Sequence, residues 1–71
     1  MALTIQQYDM LEAAIIDRSR MSIWRRGTEY MVVPERLRVH RGKEVIEARH
    51  PSTGQRLELN VEEIEFLEVV K

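Results

Sequence analysis

The chain has 71 residues, with 11 Lys+Arg against 12 Asp+Glu and no cysteine. That length suits one domain that buries only about 60% of its unfolded surface, leaving little interior for a deep catalytic cavity. The lack of cysteine excludes disulfide staples, thiolate metal sites and cysteine nucleophiles. Charged residues at 32% beside 44% hydrophobic ones mark a folded soluble domain, and no apolar run approaches the roughly 20 residues of a membrane span.

Residues Met1 to Gln7 have neither the positive start nor the apolar stretch of a signal peptide, so a cytoplasmic protein with no membrane association is expected. Thr4 and Gln7 form a capping box, and Tyr8, Leu11, Ala14 and Ile15 recur at the spacing of one helical face. A single N-terminal helix within residues 1–18 is predicted. From Ser19 the period changes to two. Met21 and Ile23 alternate with Ser22 and Trp24, placing Trp24 on the face opposite the apolar pair, and Arg26-Gly27 marks a turn. Glu29 to Val33 reads as a second strand closed by Pro34, which has no N–H for a ladder.

A further strand has Leu37 and Val39 on one face and Arg36, Arg38 and His40 on the other. Arg41-Gly42 is the next tight turn, Val45 to Arg49 the next strand, and His50 to Gly54 a loop. Leu57, Leu59 and Val61 alternate with Glu58 and Asn60. Residues 61–70 carry two signals. Asn60 with Glu63 imitates a capping box, whereas Ile64, Phe66 and Val69-Val70 suit a short turn and a closing strand, which is the favoured expectation. The predicted fold is mainly β: one domain, 1–71, with the helix at 1–18 and a five- to six-stranded antiparallel Sm/SH3-like barrel at 19–71.

Charge is arranged in blocks. Residues 1–17 carry a net −3, residues 18–56 a net +6 and residues 57–71 a net −4. Nine of the ten central positives are arginine, whose planar fork suits phosphate or carboxylate. Two readings follow: a basic face for a nucleic-acid backbone, or charges that pair within the fold.

The residues offer little for catalysis. His40 and His50 have no partner at a metal-ligand spacing. Ser19, Ser22 and Ser52 lie outside any nucleophile elbow, and Thr53-Gly54-Gln55-Arg56 lacks the phosphate-loop pattern. The expectation is a protein that is not an enzyme and uses no cofactor or metal. Trp24 between basic residues has two uses, stacking a base or capping the mouth of a barrel core.

Two families of small β-barrels resemble this sequence. Ala14 to Val70 resembles the WYL domain of bacterial transcription regulators, through Val33-Pro34-Glu35-Arg36-Leu37, Gly42, Val45-Ile46-Glu47-Ala48-Arg49, Pro51-Ser52-Thr53-Gly54 and Leu57-Glu58-Leu59, with Glu44-Val45-Ile46 in place of the namesake tripeptide. Over nearly its full length the chain also resembles the Rof family, small proteins that bind and inhibit transcription termination factor Rho. That likeness rests on Tyr8-Asp9-Met10-Leu11-Glu12-Ala13-Ala14, Gly27-Thr28-Glu29 and the alternation at 57–59.

The Rof resemblance implies a non-catalytic regulator whose acidic surface binds a protein partner and modulates termination, with Asp9, Glu12, Asp17, Glu62, Glu63 and Glu65 as candidate contacts. The WYL or Sm-like alternative implies a single-stranded nucleic-acid or nucleotide module using Trp24, Arg25, Arg26, Arg36 and Arg38. A homo-oligomer paired through open strand edges is the third reading.

Overall fold

The structure, a computed structural model, describes residues 3–70; Met1, Ala2 and Lys71, at the ends of the expected domain, lie outside the described residues. Helix α1 (Ile5–Asp17) begins where the capping box predicts. Thr4 Oγ1 accepts from the Gln7 N–H at 3.1 Å while Gln7 Oε1 accepts from the Thr4 N–H at 2.8 Å, satisfying donors that the first turn leaves free. The helix stops at Arg18, which adopts a left-handed conformation with φ 55°. Leu11 and Ala14 are buried on its inner face, and Tyr8 and Ile15 pack beside them. The Tyr8 hydroxyl donates to the Glu44 carboxylate across to the sheet. That bond, then burial and repulsion by Glu44, raise the phenol above its ordinary pKa.

Five strands follow: β1 (Arg20–Arg25), β2 (Thr28–His40), β3 (Lys43–Arg49), β4 (Arg56–Asn60) and β5 (Ile64–Val70), in the antiparallel order β4-β3-β2-β1-β5. This is the helix-plus-antiparallel-sheet, mainly β architecture expected from the sequence. Both predicted two-residue turns are present. Arg26 and Gly27 (φ 50° and 76°) join β1 to β2, and Arg41 and Gly42 (φ 53° and 76°) join β2 to β3. Two consecutive positive φ angles match the right-handed strand twist of a tight hairpin, which glycine enters without strain. Gly42→Ala is accordingly expected to lower stability by about 1 kcal/mol in urea unfolding, although an added Cβ would meet no atom within 4 Å. The cost is backbone strain alone.

Pro34 does not end a strand, and the two strands expected on either side of it are one 13-residue element. Pro34 pairs with Ala48 and the next pair is Arg36 with Glu47, so Glu35 is an extra, bulged residue. A bulge tolerates the missing N–H that an unbroken ladder would not. The long strand serves two ladders. Residues Thr28 to Val32 pair with β1, and Val33 to His40 pair with β3. Because both halves share β2, the sheet curls over a single core.

In that core Met21, Ile23, Val32 and Leu67 meet Ile46, Ala48 and Leu59, and α1 closes the space with Leu11 and Ala14. The favoured strand at the end of the chain is β5. The Asn60 capping signal belongs to a 3-10 turn (Val61–Glu63), in which Asn60 Oδ1 accepts from the Glu62 N–H at 3.1 Å. Among the described residues no ladder joins β4 to β5, so the barrel stays open at that seam. No helix among the described residues is long and apolar enough to cross a membrane.

Candidate functional site

With little interior to spare, the candidate sites are surfaces. On α1 a rotation of about 100° per residue places Ile5, Asp9, Glu12 and Ile16 in one outward stripe. Ile5 and Ile16 are each 80% exposed, the highest values among the large hydrophobics. Asp9 and Glu12 between them, and Asp17 at the helix end, are exposed and form no ion pair among the described residues. The two isoleucines are members of this surface that the carboxylate-based sequence reading missed. Their spacing of 4, 7 and 11 residues through Asp9 and Glu12, off the packing face, was the available signal.

The second acidic group is bound up in local structure. Glu63 Oε2 lies 2.7 Å from Arg26 Nη2 and Glu63 Oε1 3.8 Å from Arg25 Nη1. Glu65 is the bulged residue of β5, since Trp24 pairs with Phe66 and Arg25 with Ile64, and its carboxylate accepts from the Gly27 N–H at 2.9 Å. Glu63 and Glu65 thus hold the β1–β2 turn, while Glu62 is exposed on the 3-10 turn.

The structure divides the five residues of the nucleic-acid reading among separate places. Arg25 lies over the Tyr30 ring, 4.9 Å from its centroid, and donates to the Tyr30 hydroxyl at 2.9 Å. Trp24 points the other way, 36% exposed on the outer face. Arg36 and Arg38 stand on the other ladder, beside Glu47 and Glu58. Arg36 Nε is 2.6 Å and Arg38 Nε 2.8 Å from the two Glu47 oxygens, and Arg38 Nη2 is 3.2 Å from Glu58. All four arginines therefore face carboxylates of their own chain. Such exposed pairs contribute little stability each, but they neutralise the charge that a phosphate backbone would need.

The Arg36 hydrogen bond, helped by attraction to Arg38 and Arg56, holds the Glu47 carboxyl below the usual carboxylate range, and Arg36 is raised in return. A depressed folded pKa contributes stability that is present above the unfolded value of about 4.3 and lost as pH falls through the lower folded value. The urea midpoint is expected to decline on acidification below about pH 4.3, and less steeply in Glu47→Gln.

Two open clefts flank the bulge at Glu35. One, of about 540 Å³, runs between Arg36, Glu47, Arg56 and Glu58, and the other, of about 470 Å³, lies between Arg18 and Ile15 of the helix end and Arg49 and His50. Arg49 is itself held 2.6 Å from Glu35 and donates to the Gly54 carbonyl at 3.3 Å, fixing the β3–β4 loop. His50 Nδ1 accepts from the Ser52 N–H at 3.3 Å, and His40 is exposed beside the β2–β3 turn. Among the described residues no three His, Cys, Asp or Glu side chains are grouped to hold a metal ion. No protein-family model matches the chain, and neither a curated protein nor a solved structure matches it.

Proposed function

We propose that this protein is a non-catalytic, cytoplasmic regulatory module that binds a basic protein surface through α1. In the Rof-like reading that partner is transcription termination factor Rho, and binding modulates termination. One observation carries the reading: carboxylates Asp9 and Glu12 stand exposed and unpaired among the described residues, whereas the arginines of the nucleic-acid alternative each face a carboxylate. Charges left in water attract a complementary surface and speed its approach. The Rof-like motif Tyr8-Asp9-Met10-Leu11-Glu12-Ala13-Ala14 lies on this same helix, and flanking Ile5 and Ile16 add apolar area that a partner would cover.

An acidic, partly apolar surface of this kind would compete for a basic site that otherwise accepts RNA. The test is direct binding to a purified Rho hexamer, followed by displacement of single-stranded RNA from it. Binding at micromolar protein with RNA displacement is expected; absence of binding at that concentration removes Rho as the partner. Titration of the protein itself with single-stranded RNA at low and physiological salt tests the alternative. Affinity falling steeply with salt, by counterion release, would favour it.

A further inference from the structure

The outward face of β2, β1 and β5 carries large apolar side chains where a solvated strand face would carry polar ones. The register sets Trp24 directly beside Phe66, and Ser22 beside both Met31 and Glu68. Arg20 stands beside Val70. Trp24, Met31 and Val70 are each 36% exposed and Phe66 48%. In the middle Ser22 is 1% exposed, with its hydroxyl donated to the Glu29 carboxylate. The centre of the patch therefore offers no free polar group. Large apolar side chains gathered on one sheet face and interspersed with charge offer a partner both area to cover and groups to match.

Geometry and charge select the occupant. The outer two of three adjacent strands lie about 10 Å apart, close to the roughly 10 Å diameter of one helix. An extended segment added at the free edge of β5 would reach Phe66 and Val70 but not Met31, two strands away. A second copy stacked face to face with the axis over Ser22 meets like charges. A two-fold axis along the strands sets Arg20 against Arg20, and one across them sets Glu68 against Glu68. A phosphate backbone would approach the carboxylates of Glu29 and Glu68. Glu68, like Arg20, is exposed and has no ion pair among the described residues; with Glu29 it leaves this face net acidic, which a cation placed on the Glu68 side would complement.

We propose that this face receives a cationic amphipathic helix of a partner protein, its apolar stripe over Trp24, Phe66, Met31 and Val70 and a Lys or Arg against Glu68. This surface shares no residue with the α1 surface, so either assignment can fail while the other stands.

Trp24 is the single tryptophan of the chain, so its emission reports on the patch directly. The probe is a synthetic 15-residue peptide of Leu and Lys in amphipathic helical order, titrated into the full chain beside a scrambled peptide of equal composition. A saturable blue shift at micromolar peptide is expected, with roughly tenfold weaker binding of the scrambled peptide and in Glu68→Lys. In Phe66→Ser the shift is lost while far-ultraviolet circular dichroism is retained. If that variant fails to fold, the exposed Glu68→Lys carries the test. No shift, equal binding of the scrambled peptide, or undiminished affinity in Glu68→Lys overturns the proposal. So does a shift that grows with protein concentration alone, which would assign the face to a second copy, or a stronger response to oligouridine RNA.

Discussion

Leu11→Ala is expected to lower the thermal midpoint by roughly 12–24 °C, because a loss of about 3 kcal/mol moves a domain of this size by about 4–8 °C per kcal/mol. Leu11 is 0% exposed and lies at the centre of the inner face of α1, against a core built from both ladders of the sheet. Truncation removes the transfer energy of the lost atoms and leaves a cavity that the curled sheet has little freedom to close. In a small domain whose whole stability is roughly 5–15 kcal/mol, that is a large fraction, and α1 should detach first. Far-ultraviolet circular dichroism against temperature checks the midpoint. Leu11→Met, nearly equal in volume, should cost less than about 1.5 kcal/mol. An alanine variant as stable as the parent would mean that α1 is not held by its buried face.

The second large effect concerns binding rather than folding. Under the proposed function, reversing both Asp9 and Glu12 to lysine should weaken binding to Rho by about 100-fold, since each substitution replaces attraction to a basic surface by repulsion. Stability should change by less than about 0.5 kcal/mol, because both side chains are exposed and carry no ion pair among the described residues. The pairing of a large binding effect with a small stability effect separates a contact from a structural role. Surface-immobilised Rho at two salt concentrations gives the affinity, and the parent protein should lose affinity with salt while the variant does not. Unchanged affinity in the double variant would exclude α1 as the contact, whatever else the protein binds.

What could be read from the residues follows how locally each feature is determined. The start of α1 was legible because Thr4 and Gln7 satisfy each other's backbone three residues apart. Arg26-Gly27 and Arg41-Gly42 were legible because a two-residue hairpin needs positive φ, which the glycine supplies. Asn60 announced a helical cap and delivers one, though to a three-residue turn, because the apolar pattern of Ile64, Leu67 and Val69 then pairs as a strand with β1. Pro34 misled, since its missing N–H is harmless opposite a bulge, and only the partner strand reveals that Glu35 is skipped.

The candidate surfaces divide along the same line. That Asp9 and Glu12 face away from the packing side of α1 follows from helical period alone, and so does the outward position of Trp24 from strand alternation. The fate of the arginines does not. Arg36 meets Glu47 from 11 positions away and Arg26 meets Glu63 from 37, distances along the chain over which composition says nothing about who faces whom.

By itself, then, the sequence determined the element types, the turns and the outward stripe of α1, because each depends on backbone preferences and side-chain spacing within a few residues. The tertiary structure alone decided that β2 bends across two ladders, that Arg25, Arg26, Arg36 and Arg38 meet carboxylates of the same chain, and that Trp24, Met31, Phe66 and Val70 share one outward sheet face. Those outcomes depend on strand register, and register is set by the packing of the whole core at once.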